Sequence, residues 1–327
     1  MTARKGGMML KIRTILLCVM AVSSLLLFAG CSKEQAKAPV EETYLSVVDD
    51  NGRTVTLNKK PERIVALSAS FLEPLEKVDA SMVGRPSSKT GVPEELKKLD
   101  EVGPVYQINL EKVVALQPDL VIAYKGMHDK FVPALESNHI PVIVVEMKTY
   151  EEVKAKTALF ASITGETEKG AALIDAMDKK IEAVQKKVPK EEKKIAILHS
   201  TTQQLTVQLD GSIAGSVAKM LGFTNVAAGS KPLEKNPDAA PYSMESLVQQ
   251  NPEIIFVTSM GDLDSIKKSF MENVEKNPSW QSIPAVQKKH IYFLPQQLFL
   301  LNPGIHYPEA VETMADFVYP GVLPHGK

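Results

Sequence analysis

Apolar residues in this chain fall into two kinds of run. Short stretches without polar interruption, at 64–67, 82–84, 120–123, 142–145, 195–198 and 254–257, are separated by longer, mixed stretches. A strand without polar alternation is buried on both faces, as in a parallel sheet flanked by helices. Strands of this kind alternating with helices predict βαβ units. Before the first of them, residues 45–57 carry Asn51-Gly52 between two apolar runs, which predicts a hairpin.

One phrase occurs twice. Residues 110–123 return as 244–257, with Glu111 at Glu245, Val114 at Val248, Pro118 at Pro252 and Asp119 at Glu253, an offset of 134 positions. Each copy reads as a short helix, a Pro-acidic turn and an apolar strand. A repeat this long indicates two similar α/β lobes, since solenoid periods are shorter. Between the copies, Ile174, Met177, Ile181, Val184 and Val188 keep a 3,4,3,4 spacing, the apolar face of one long helix that Pro189 ends. The expected fold is α/β: two lobes with parallel-rich central sheets, joined by that helix. Facing lobes make a ligand cleft.

The N-terminus is a processing signal rather than part of the fold. Arg4, Lys5, Lys11 and Arg13 precede an apolar run over residues 15–30, too short and too early for an ordinary membrane span. The ending Ala29-Gly30-Cys31 resembles the bacterial lipoprotein site, in which the cysteine is lipidated and becomes the first mature residue; Phe28 stands where leucine is usual. Cys18 would leave with the signal, so Cys31 has no partner for an internal disulfide. A diacyl anchor holds more durably than one acyl chain. The expected organisation is a signal peptide (1–30), a flexible tether (31–43), an N-terminal α/β lobe (44–163), a linking helix (164–189) and a C-terminal α/β lobe (190–327), on the outer face of the cell membrane. The net charge of −1 over 327 residues, with both signs interspersed, points to no nucleic-acid partner.

Further motifs converge on one family. They are Pro61-Glu62-Arg63-Ile64-Val65, Glu101-Val102-Gly103, Leu221-Gly222-Phe223-Thr224-Asn225-Val226, and Trp280 followed by Ile283-Pro284-Ala285-Val286 and the strand at Tyr292. With the repeat, they make the chain resemble the substrate-binding proteins of ABC importers for ferric siderophores, haem and cobalamin, the class III binding proteins. The resemblance spans about residues 47–319. It implies two lobes bridged by one helix, a ligand held between them as cargo rather than as an intrinsic cofactor, a monomer, and a permease dimer with its ATPase subunits as partner. It also implies one docking glutamate per lobe, matched here by Glu73 and Glu245. Either could equally be an acid placed at a helix N-terminus for the dipole, and Pro74 departs from the family pattern.

Ligands in open α/β sheets sit beyond the carboxyl ends of the strands. That rule selects Ser70, Phe71, Arg85, Lys89, Tyr124, Lys125, His128 and Lys148 from the first half, and His199, Tyr242, Met260 and Gln297 from the second. Haem needs an axial His, Met or Tyr, an apolar slot and cations for its propionates. A ferric siderophore needs cations and aromatic walls around an iron already saturated. The resemblance places the C-lobe axial histidine of haem-binding members at Met260, a metal ligand only for haem, and their N-lobe axial methionine at Glu73. Tyr124-Lys125-Gly126 resembles a step of cobalamin binders, which keeps that ligand as the alternative. An iron complex is the expected cargo. A Zn or Mn importer component ranks lower, because His128, His139, His199, His290, His306 and His325 form no run. His199-Ser200-Thr201 with Asp210 could suggest a hydrolase, but no Gly-x-Ser-x-Gly elbow, Walker loop or dinucleotide turn accompanies it, so no enzyme is expected.

Overall fold

The computed structural model describes residues 43–88, 92–201 and 204–323; Cys31 and Lys89 lie outside them, with the signal and nearly all of the tether. The chain enters through the antiparallel hairpin β1 (Leu45–Val48) and β2 (Thr54–Leu57). At its tip Gly52 has a φ of +76°, a conformation that costs glycine little. The buried Asp49 ties the hairpin to the body. Its carboxylate accepts from the backbone N–H groups of Asn51, Arg53 and Val144 and from the Arg53 guanidinium. Burial alone would raise the Asp49 pKa, but the bonds from Arg53 and Val144 outweigh it and hold it below the ordinary 3.8.

The first lobe runs β3 (Ile64–Ala66), α1 (Leu72–Lys77), β4 (Met82–Ser87), β5 (Asp100–Pro104), α2 (Leu110–Ala115), β6 (Leu120–Tyr124), α3 (Val132–Ser137) and β7 (Val142–Val145). Its five strands are parallel, in the order β5-β4-β3-β6-β7. β3 and β7 are wholly buried, as uninterrupted apolar runs require.

Two helices follow, α4 (Tyr150–Thr164) and the long α5 (Thr167–Lys187). Gly165, at φ +75°, ends α4, so α5 begins at Thr167, slightly later than the expected bound at 164. They pack closely because Gly170 has no side chain: a Cβ there would lie 2.4 Å from the Cβ of Ala161. Val188 turns extended ahead of Pro189 and stops α5.

The second lobe comprises β8 (Lys194–Ser200), β9 (Leu205–Gln208), α6 (Ile213–Met220), β10 (Thr224–Asn225), β11 (Ala239–Pro241), α7 (Met244–Gln250), β12 (Ile254–Ser259), α8 (Leu263–Lys276), α9 (Pro284–Gln287), β13 (Ile291–Phe293), α10 (Gln296–Phe299) and α11 (Tyr307–Val318). Its sheet has the order β11-β9-β8-β12-β13 with β10 on β8; β8, β10, β12 and β13 are parallel, while β9 runs antiparallel to both its neighbours, β8 and β11. The two copies of the repeat fold alike. Gln117 and Asn251, 134 positions apart, both turn with positive φ, of +47° and +56°. Asp119 then accepts from the N–H groups of Glu62 and Arg63 before β3, and Glu253 accepts from Lys194 at the start of β8. The repeated acid therefore anchors the neighbouring strand in each lobe.

One core cluster joins the lobes. It contains Ile64, Ile122 and Val145 of the first sheet, Met177 and Ile181 of α5, Ile195, Ile197 and Phe256 of the second sheet, and Val311 and Met314 of α11. Burying each such side chain stabilises the fold by roughly 1.5–3 kcal/mol before entropy is counted. Among the described residues, no helix is long and apolar enough to cross a membrane.

Candidate functional site

The carboxyl edge of the first sheet faces the second lobe. At the end of β7, the Met147 carbonyl accepts from the Asn302 side chain and, at 3.2 Å, from the Tyr124 hydroxyl; the Lys148 carbonyl accepts from Tyr307 at 3.2 Å. Lys148 then crosses between lobes, its Nζ 2.7 Å from Asp238 and 2.7 Å from Glu146, which also meets Lys125 at 3.2 Å. Burial alone would lower the Lys148 pKa, but the hydrogen bonds it donates to Asp238 and Glu146 outweigh it and drive it well up. For Glu146, burial is likewise outweighed, by Lys148 and Lys125, and its pKa falls. Lys125 and Lys148, two of the three lysines expected to receive an anionic ligand, are therefore already balanced by two carboxylates that sequence reasoning passed over.

Three side chains expected on the cleft wall are turned inward. Arg85 is buried, and its guanidinium donates to the carbonyls of Pro86, Leu96 and Lys97 and pairs with Glu101 at 2.9 Å. His128 is fully buried: its Nδ1 accepts from the Tyr124 N–H at 2.9 Å, so its Nε2 donates to the Val105 carbonyl at 2.8 Å. That fixes one neutral tautomer, and burial lowers the His128 pKa. Phe71 is buried too, stacked on Tyr124 at 5.6 Å and 9°. Tyr124 is partly covered, and burial pushes its pKa up to about 12, which disfavours an iron-ligating phenolate.

Ser70, Glu73 and Gln297 share a groove of about 270 Å³ with His306 and Glu309. Glu73 lies in the first turn of α1, where Pro74 is accommodated and packs against Gly304. Glu245 is exposed in the first turn of α7, which Ser243 caps. A larger cavity of about 580 Å³, lined by Gln185, Pro189 and Met220 among others, lies by the amino end of β8, away from the edge where ligands sit.

On the second lobe, His199 and Thr258 lie side by side one residue before the ends of β8 and β12, with Nδ1 2.9 Å from Oγ1. Met260, 52% exposed, follows directly. Tyr242 stacks on the buried Trp280 at 6.3 Å and 18°, and burial pushes its hydroxyl pKa up to about 12. Tyr106 was missed: it is 66% exposed just beyond β5, beside the loop that His128 ties down. Its signal was there in its place after Glu101-Val102-Gly103, but β5 is a polar edge strand without an apolar run.

Comparison with known proteins agrees with this architecture. A family model described as periplasmic binding protein matches residues 64–298. The uncharacterized ABC transporter substrate-binding lipoprotein YvrC of Bacillus subtilis is 26% identical over 310 residues, 90% of this chain and 93% of that one. The high-affinity heme uptake system protein IsdE of Staphylococcus aureus is 23% identical over 259 residues, 79% of this chain and 87% of that one; its structure complexed with heme superposes with a TM-score of 0.69, covering 79% and 98%. S. aureus SirA complexed with staphyloferrin B gives a TM-score of 0.68 at 22% identity, covering 84% of this chain and 98% of that one. The fold is that of class III binding proteins, whose members bind solutes rather than transform them. A family match across most of the chain, on two α/β lobes joined by a long helix, shows that this protein belongs to the periplasmic binding protein family.

Proposed function

We propose that this protein is a lipid-anchored extracytoplasmic binding protein that captures an iron complex, haem or a ferric siderophore, between its lobes and delivers it to an ABC permease dimer driven by ATPase subunits. The observation that carries the reading is the pair of facing lobes with strand ends at their boundary, bridged along one side by Lys148 and Asp238. IsdE, named for heme uptake, and SirA, solved with staphyloferrin B, support an iron complex as cargo. The lobes are residues 44–163 and 190–327 with the helix of 164–189 between them, and the protein acts as a monomer.

Ser70, Lys125, Lys148, His199, Tyr242, Met260 and Gln297 are the ligand-facing set, with Lys89 added from outside the described residues. Arg85, His128, Phe71 and Tyr124 shape the wall from behind. An anionic ligand displaces Glu146 or Asp238 from the lysines, so affinity depends on how well it replaces those carboxylates. Glu73 and Glu245 dock the permease, where complementary charge sets orientation and on-rate more than stability. Cys31 carries the lipid; YvrC, described as a lipoprotein, supports this.

Uptake of labelled iron supplied as haem and as ferric siderophore tests the reading in cells with and without the chain. Loss of uptake of one form on deletion supports it. Unchanged uptake of both sinks it. Cys31→Ala should release the protein from the membrane fraction.

A further inference from the structure

The turn that opens α11 reaches back into the first lobe. Asn302 donates its side-chain amide to the Met147 carbonyl and accepts from the Gly304 N–H at 2.6 Å. Gly304 has a φ of +53°, and a Cβ there would lie 3.4 Å from the Pro74 Cγ. Pro74, which departs from the family pattern, therefore seats this turn against α1. His306, two residues further on, is held at the boundary between the lobes by that packing.

The His306 ring joins carboxylates from two elements. Its Nε2 lies 2.7 Å from Glu73 of α1, and its Nδ1 lies 2.7 Å from Glu309 of α11. An imidazolium donates to both, whereas a neutral ring has one N–H and turns a lone pair on the other carboxylate. Burial alone would lower the His306 pKa, but hydrogen bonds to Glu309 and Glu73 outweigh it, so the charged form persists to higher pH than in a free histidine. Those two carboxylates are the charged groups that act on the ring; α5, which also packs against the turn, adds none. All three side chains are partly exposed, in a groove that also carries Leu298 and Leu301, so a partner can reach them.

We propose that His306 is a proton-operated placeholder on this docking surface: as imidazolium it occupies Glu73 and Glu309, and on losing its proton to solvent it yields them to an arginine of the partner. The proposal rests on the reading that Glu73 docks the permease. It adds Glu309 as a second docking carboxylate and external pH as the control. A guanidinium is planar, stays charged throughout this pH range and presents donors along more than one edge, so it can take the ring's place between the two acids. Because the charges are partly exposed, the competition changes docking by only roughly threefold to fivefold.

Uptake of labelled iron, supplied as haemin and as ferrioxamine B, is measured between about pH 5 and pH 8 in cells carrying the wild-type chain, no chain, His306→Gln or Glu309→Gln. Cargo is saturating, and rates are divided by the amount of the protein on the cells. Taking the ratio of wild type to His306→Gln at each pH cancels effects of pH on the permease itself. That ratio should rise roughly threefold to fivefold with pH and level off near unity once His306 is neutral. In Glu309→Gln the rise should come at lower pH, because removing one carboxylate lowers the ring's pKa. A ratio that does not change with pH overturns the proposal, and so does a midpoint that Glu309→Gln leaves in place. Uptake of both forms that is the same without the chain overturns the transport reading, and the proposal with it.

Discussion

Glu73 and His306, 233 positions apart, meet with 2.7 Å between Oε2 and Nε2. The other ring nitrogen of His306, Nδ1, lies 2.7 Å from Glu309. Only an imidazolium donates to both carboxylates. Burial alone would lower the His306 pKa, but its bonds to Glu309 and Glu73 outweigh that and raise it. The contribution of this group to stability is therefore complete below the unfolded value near 6.5 and is lost as pH rises through the higher folded value. NMR titration of the His306 ring should show a raised pKa that drops towards 6.5 in Glu73→Gln. An unshifted titration in the variant would contradict the pairing. A permease that engages Glu73 meets it already paired, so docking should strengthen in His306→Ala.

His128 should behave in the opposite sense. It is neutral and buried, with a lowered pKa. Its contribution is complete above about 6.5 and is lost as pH falls through the folded value. His128→Ala leaves the Tyr124 N–H and the Val105 carbonyl without their partner, at a cost of about 2–4 kcal/mol. Urea denaturation at neutral pH measures it, and a loss below about 0.5 kcal/mol would show that water replaces the ring.

Lys148 and Asp238 hold the lobes in register from one side. Asp238→Asn should destabilise the protein by about 1–2 kcal/mol, between the values for exposed and buried pairs, since both side chains are partly covered. It should also increase the radius of gyration in small-angle scattering. A variant as compact and as stable as wild type would mean that Asn302 and Tyr307 suffice to hold the boundary.

The contact of α4 with α5 is steric. Gly170→Ala places a methyl group against Ala161 and should cost about 1–3 kcal/mol. Ala161→Gly alone loses about 1 kcal/mol of helix propensity. If the space argument holds, the double variant should be more stable than Gly170→Ala alone, and thermal denaturation of the four proteins gives the coupling.

The sequence was informative where structure is local. The apolar runs became β3, β6, β7, β8 and β12, and Asn51-Gly52 became the hairpin tip, because burial on both faces and a positive φ leave direct marks on composition. The repeat was legible for the same reason, down to matching turns at Gln117 and Asn251. Pairings across the fold were not. Nothing near Lys148 in the chain announces Asp238, and nothing near Glu73 announces His306. Arg85 and His128 were read from their place after strands, but their surroundings are made by the loops at Leu96 and Val105. The carboxyl-edge rule selects positions, and only the packed structure decides which side chains face inward.

The central claim is that the space between the lobes captures a metal complex. Trp280 is the chain's single tryptophan and stacks on Tyr242, a candidate wall residue, so its emission should respond to occupancy. Titration of the purified protein with haemin and with a ferric siderophore should give saturable quenching by at least one of them, at a stoichiometry of about one. A flat response to both, with divalent metal retained after dialysis, would contradict the account and point to a metal-ion importer component.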